Sequence, residues 1–212
     1  MASFVPFTFI VLCGNTGSGK SRLLQQIVAF GYPAIDLEQI ASHRGSAFGN
    51  VISSTQPSQK DFEKKLEQQI ELLNTHNFLF IEQKPSSIGK RKIPGWLFKK
   101  INEGVFVELA TGKEIRINNI LKEYGSDSGK AFMNGLQKLK NRLPVTVINE
   151  CEKYLADKNY TLFINTMLDY YDNAKQYQLN KKPIITLNGN AEVKKIADEL
   201  IQELQEHGII IS

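Results

Sequence analysis

Apolar residues in this chain fall into two kinds of run. Residues 7–12, 77–82, 104–109 and 182–187 are short, nearly continuous stretches of β-branched and aromatic side chains. A stretch of that length without alternation reads as a strand buried on both faces, as in a parallel sheet. Residues 33–37 read as a shorter strand of the same kind. Between these runs the apolar spacing is helical. Residues 22–30 form one helix, closed by Gly31. Phe62, Leu66, Ile70 and Leu73 mark one face of another, opened by Ser58 and Asp61 as a variant capping box. Pro94 starts a short helix through Trp96, Leu97, Phe98 and Ile101. Val193, Ile196, Ala197, Leu200, Ile201 and Leu204 form the stripe of a last helix, with Asn190 expected to cap it and Gly208 to end it.

From 111 to 180 the periodicity is helical throughout. Ile115, Ile120 and Leu121 line one helix, Phe132, Leu136 and Leu139 a second, Val145 to Leu155 a third, and Phe163 to Tyr171 a fourth. The pattern predicts an α/β, three-layer fold with a mainly parallel sheet. It is expected to be a single domain over 1–212 with a helical insertion at 111–180, of the sort that serves as a lid or partner surface. Arg116 and Arg142 are candidate lid arginines, with a plain surface role equally open.

The first strand runs straight into Gly14-Asn15-Thr16-Gly17-Ser18-Gly19-Lys20-Ser21, and a helix follows. This is the G-x-x-x-x-G-K-[ST] pattern in its working context, and it makes the expected α/β fold a P-loop NTPase-like three-layer fold. Glycines give the loop positive φ and let main-chain N–H groups approach a ligand. Those groups and the helix N-terminus make an anion nest. Lys20 can reach a terminal phosphate, and Ser21 can ligate Mg²⁺ beside it. The loop leaves open which phosphate compound binds.

Two further strand ends carry polar residues. Glu82 closes an apolar strand in the Walker B manner, where an acid can hold a metal-bound water or orient a nucleophile. After the second strand, Ser42 to Gly49 mixes His43 and Arg44 with small residues. A loop at the carboxyl end of a parallel strand lies where ligands bind, so both side chains are expected to meet an anion. Gln56 and Gln59 are expected near the same cleft.

Charge changes the picture in one place. The 212 residues carry a net charge of only +4, with 42% hydrophobic and 23% charged residues. Yet Lys84, Lys90, Arg91, Lys92, Lys99 and Lys100 follow one another with no acid between them. That run is a candidate nucleic-acid face. Cys13 and Cys151 stand far apart and outside any metal-binding spacing, and Cys13 reads as a small buried residue. No signal peptide and no membrane-length apolar run is present, so the cytoplasm is the expected compartment.

These residues resemble the C-terminal P-loop domain of the tRNA 2-selenouridine synthase family. The likeness rests on GNTGSGKS, on Asp36-Leu37-Glu38 followed by His43-Arg44-Gly45-Ser46-Ala47-Phe48-Gly49, on Gln56-Pro57-Ser58-Gln59, and on Asp169-Tyr170-Tyr171-Asp172. The resemblance implies tRNA as a partner. It implies replacement of sulfur by selenium in wobble 2-thiouridine through an S-geranyl intermediate. The phosphate ligand is then geranyl diphosphate or a nucleotide such as ATP or GTP, with Mg²⁺ at Ser21 and Glu82. Gly14, Asn15, Thr16, Gly17, Ser18, Gly19, Lys20, Ser21, His43 and Arg44 would hold it, with Lys20, Glu82 and Asp36 in the chemistry.

The chain departs from the family in two ways. Only 13 residues precede the loop, so the family's rhodanese domain is expected to be absent and a rhodanese-domain partner with an active cysteine to supply selenium. After Glu82, Lys84 stands where the family has a second acid, and Ser86 and Ser87 stand where it has arginines. The resemblance makes the chain a transferase acting on tRNA. An ATP-dependent small-molecule or nucleotide kinase and a non-catalytic tRNA-binding module are the alternatives.

Overall fold

The computed structural model describes residues 7–43, 55–125, 128–173 and 181–210. In chain order these form β1 (Thr8–Cys13), α1 (Lys20–Ala29), β2 (Ala34–Ile35), α2 (Leu37–Ile40), α3 (Gln59–Leu72), β3 (Phe78–Glu82), β4 (Ser87–Ile88), β5 (Arg91–Lys92) and α4 (Gly95–Glu103). Then come β6 (Val105–Ala110), α5 (Lys113–Tyr124), α6 (Ser128–Leu139), α7 (Val145–Ala156), α8 (Tyr160–Asn173), β7 (Ile185–Asn188) and α9 (Val193–Glu206).

The main sheet has the order β2-β3-β1-β6-β7, and every pairing in it is parallel. Successive side chains of a strand point to opposite faces, so β1 feeds two cores. Phe9, Val11 and Cys13 face α3 and α4 with Ile35, Ile81, Phe62 and Leu97. Ile10 and Leu12 face α1 and α9 with Phe80, Leu24, Ile27 and Leu200. A strand buried on both faces cannot alternate with polar residues, which explains the uninterrupted apolar runs. This is a three-layer α/β fold of the P-loop class. β1 lies centrally, with β3 and β6 on either side, so the chain after β1 emerges at the point where the sheet order reverses, the usual place for a ligand.

The helices α5–α8 lie between β6 and β7 and share a third apolar cluster. Phe132 sits fully buried among Tyr124, Tyr160 and Phe163, with ring centroids 5.1, 5.7 and 5.1 Å away. Three local expectations are corrected. The second strand is only two residues long, because the Asp36 carboxylate accepts the N–H groups of Glu38 and Gln39 and starts α2 there. Asn190 does not cap α9. Its side-chain oxygen accepts the N–H of Gly112 at 2.8 Å, and Glu192 holds the cap position. On α5, Ile115 faces solvent, while Arg116 joins Ile117 and Ile120 inside. The Ser58 capping box forms as read: its hydroxyl accepts the Asp61 N–H at 3.1 Å and donates to the Asp61 carboxylate at 2.6 Å.

Phe132→Ala removes the ring on which three aromatic neighbours rest. Thermal or denaturant unfolding should show a loss of about 3–5 kcal/mol. An unchanged midpoint would mean that the cluster does not carry the stability of α5–α8.

Candidate functional site

The loop between β1 and α1 is shaped first by its glycines. Gly14 and Gly17 adopt φ of 139° and 79°. A Cβ at Gly14 would stand 2.7 Å from the Leu109 carbonyl oxygen, and one at Gly17 would stand 2.9 Å from both the Arg116 carbonyl oxygen and the Ile120 side chain. The loop therefore closes onto β6 and α5 at distances that only glycine permits.

It is then fixed by three consecutive carbonyls. Thr16 accepts from Arg116 Nε at 2.8 Å, Gly17 from Asn119 Nδ2 at 2.9 Å, and Ser18 from Thr111 Oγ1 at 2.9 Å. In a trans peptide the N–H points opposite the C=O. With these carbonyls drawn toward α5 and the loop before it, the N–H groups of Gly17, Ser18 and Gly19 turn the other way. That of Ser18 closes the turn on Asn15, at 3.2 Å.

Arg116 is the anchor that sequence reading left open. It is 3% exposed, and its guanidinium meets the Asp172 carboxylate with two bonds of 2.8 and 2.9 Å. Asp172 closes the Asp169-Tyr170-Tyr171-Asp172 stretch of α8, and Asp169 pairs with Lys113 at 2.6 Å. The sequence signal was a charged residue inside the apolar stripe of α5. Arg142 is exposed, and its carbonyl accepts the Tyr170 hydroxyl.

Lys20 turns its ammonium across the loop. It donates to the carbonyls of Gly14 (2.8 Å) and Asn15 (3.0 Å) and to the Ser18 hydroxyl (3.2 Å). Burial, opposed mainly by the Glu82 carboxylate, brings its pKa down to about 8.

Glu82 ends β3 beside Leu12 and is 4% exposed. Burial alone would push its carboxyl up, but Lys84, Lys20 and the Ser21 hydroxyl hold it below the usual range. Lys84 is the main correction to the basic run. It does not join an exposed face. Its side chain is 11% exposed, with Nζ 2.8 Å from Glu82 Oε2 and paired also with Glu38 of α2. Burial opposes its charge, but the two carboxylates outweigh that and push its pKa up. Glu38 was not expected in the site. Magnesium was expected at Ser21 and Glu82, but the Glu82 carboxylate is already held by an ammonium and a hydroxyl. This donor set does not fit a divalent ion bound at Glu82 while Lys84 stays in place.

The remaining residues sort as follows. Asp36 serves as the α2 cap, on the same short helix that brings Glu38 in. His43 lies next to the β4–β5 turn, so close that a Cβ at Gly89 would be 2.5 Å from its ring. Arg44 lies outside the described residues. Gln56 and Gln59 clamp the antiparallel β4–β5 hairpin by its main chain. Gln56 donates to the Ile88 carbonyl at 3.0 Å and accepts the Lys90 N–H at 2.8 Å; Gln59 donates to the Lys92 carbonyl and accepts the Lys92 N–H, at 2.8 and 2.9 Å. Lys90 and Lys92 are thereby presented to solvent, with Arg91 half-buried between them. Lys99 and Lys100 are exposed on α4, near Glu103 at 3.9 and 3.7 Å. Among the described residues no helix is long and apolar enough to cross a membrane.

Residues 7–168 match the family model described as the tRNA 2-selenouridine synthase AAA domain. The tRNA 2-selenouridine synthase of Nitrosomonas eutropha is 32% identical over 175 residues, covering 80% of this chain and 42% of that protein. That of Psychromonas ingrahamii is 30% identical over 203 residues, covering 82% and 54%. The chain thus spans about half the length of these curated relatives. A solved shikimate kinase from Acinetobacter baumannii aligns over 97% of both chains with 16% identity and a TM-score of 0.42.

Two outcomes follow from the geometry. Arg116→Leu leaves the Thr16 carbonyl without its donor and Asp172 without its partner, and should lower stability by about 3 kcal/mol in denaturant melts. A change under about 0.5 kcal/mol would remove Arg116 from the account. The second concerns pH. Lys20 is protonated below its pKa of about 8 in the free protein, and a phosphate beside it raises that value. Affinity for a phosphate ligand should therefore be full near pH 7 and fall above pH 8, by at most about tenfold per unit. Calorimetry showing flat affinity from about pH 7 to 9 would contradict it.

Proposed function

Because this chain belongs to the tRNA 2-selenouridine synthase family, we propose that its glycine loop holds the diphosphate of geranyl diphosphate while a tRNA wobble 2-thiouridine is brought to the other end of that ligand. The observation that carries this reading is the anchoring of three successive loop carbonyls by Arg116, Asn119 and Thr111. It fixes the direction of the main-chain donors before any ligand arrives, which is how a preorganised site stabilises developing negative charge.

In the proposed reaction the 2-thio sulfur attacks C1 of the geranyl group. The C–S bond forms as the C–O bond breaks, the electron pair leaves with the diphosphate, and the N3–H proton of the base is released to solvent. The loop amides and Lys20 receive that charge. The Lys90–Lys92 hairpin and the exposed Lys99 and Lys100 offer cations to the tRNA backbone. The subsequent selenium step belongs to a rhodanese-type cysteine elsewhere. Cys13 and Cys151 are both buried, and desolvation, followed by Glu108 and Glu150 respectively, pushes their thiols up to about 12 and about 11. Neither suits a thiolate nucleophile at neutral pH. The setting is the cytoplasm, where the tRNA is.

The test is to incubate the protein with geranyl diphosphate and a tRNA carrying 2-thiouridine, and to follow S-geranyl product by mass spectrometry. Lys20→Ala should lower the rate by about 10²-fold or more. Phosphoryl transfer from ATP to a small acceptor, with no geranylation, would replace this reading with a kinase. Tight binding of both substrates without turnover would leave a tRNA-binding module.

A further inference from the structure

Lys84 stands in an unusual place. Two residues past the end of β3, it turns back so that its ammonium lies between Glu82 and Glu38. The three side chains are 11%, 5% and 17% exposed, so the cluster is largely out of water. The Ser21 hydroxyl of the glycine loop bonds to the same Glu82 carboxylate. We propose that Lys84 is a built-in cation of this site, neutralising charge there as a divalent ion bound at Glu82 would, so that the phosphate-bearing ligand binds without a divalent metal. The proposal rests on reading the glycine loop as a diphosphate cradle.

Four observations carry it. First, a divalent ion on Glu82 would share that carboxylate with an ammonium whose nitrogen is 2.8 Å from Oε2. The repulsion between them is twice that of two unit charges at the same distance. Second, Lys84 is not easily displaced, because its departure would strip Glu38 of its ammonium and leave the largely buried Glu82 with only the Ser21 hydroxyl and Lys20. Third, the charges of Lys20, Lys84, Glu82 and Glu38 cancel. Together these four side chains are neutral before a ligand arrives, and without Lys84 they would carry one net negative charge. Fourth, Lys84 and Lys20 both stand beside the Glu82 carboxylate. The two ammonium groups are electrostatically coupled, and an anion set against Lys20 is attracted by both. Among the described residues, no group of three or more His, Cys, Asp or Glu side chains offers a metal a separate home.

The experiment is calorimetric titration of the purified chain with inorganic pyrophosphate and with geranyl diphosphate, each in EDTA and in excess Mg²⁺. For the unaltered protein the two conditions should give affinities within about twofold of each other. Lys84→Met should lose about tenfold or more in EDTA and recover in Mg²⁺, because Glu82 and Glu38 are then free to hold the ion. Mn²⁺ titration followed by electron paramagnetic resonance should show a bound ion in Lys84→Met and none at this site in the unaltered chain. Lys84→Arg, which keeps the charge, should keep binding independent of metal.

Binding by the unaltered protein that vanishes in EDTA overturns the proposal, as does a folded Lys84→Met whose affinity is unchanged. If Lys84→Met does not fold, the comparison on the unaltered protein decides alone. Absence of pyrophosphate binding in both conditions overturns the cradle reading, and this proposal with it. Binding that requires Mg²⁺ overturns this proposal only.

Discussion

Everything at this site depends on the direction of three peptide groups. A glycine-rich loop has many accessible conformations, and its freedom is lost when a ligand orders it. Here Arg116, Asn119 and Thr111 each hold one carbonyl of Thr16, Gly17 and Ser18, and all three come from the segment that begins the helical insertion. The insertion is therefore part of the loop's framework. Asp172 extends that framework to α8, since its carboxylate fixes the guanidinium that fixes Thr16. The aromatic packing around Phe132 holds α5 and α8 in the same cluster. Packing energy in one layer thus sets main-chain orientation in another.

The electrostatics of the cleft follow a second constraint, that charge out of water must be paired. Glu82 is nearly buried at the end of a strand whose other residues are apolar, and it is tolerable there because Lys84, Lys20 and Ser21 surround it. Burial disfavours the charge of both lysines, and their partners decide the outcome. Lys84, between two carboxylates, is held charged. Lys20, whose bonding partners are two carbonyls and a hydroxyl, stays charged near pH 7 with its pKa lowered to about 8. One ammonium belongs to the resting structure, and the other is ready to respond to an anion.

The sequence disclosed whatever depends on near neighbours. The glycine loop between a strand and a helix, the apolar runs of a doubly covered sheet and the Ser58 capping box are all written within a few residues, and the structure has them. Features that depend on distant partners were not legible. A count of basic residues placed Lys84 with Lys90 and Lys92, and only the fold reveals that β3 delivers it inward to Glu38, 46 positions earlier. Arg116 and Asp172 are separated by 56 positions, and their pairing was invisible although both had drawn notice. Asn190 carried a capping signal, but the approach of Gly112 claimed its oxygen instead. Local propensity states what a residue can do, and tertiary proximity decides which option is used.

The clamp on the β4–β5 hairpin has a consequence for how this surface can change over evolutionary time. Gln56 and Gln59 grip the hairpin by its peptide groups and bond to none of its side chains. Substitutions at positions 90 and 92 therefore leave the scaffold intact unless proline removes the N–H that a glutamine accepts. The outward side chains can be exchanged, and a new polyanion shape accommodated, with no repacking beneath. Conservation pressure then falls on two glutamines that hold the main chain, while the exposed lysines at 90 and 92 are free to drift.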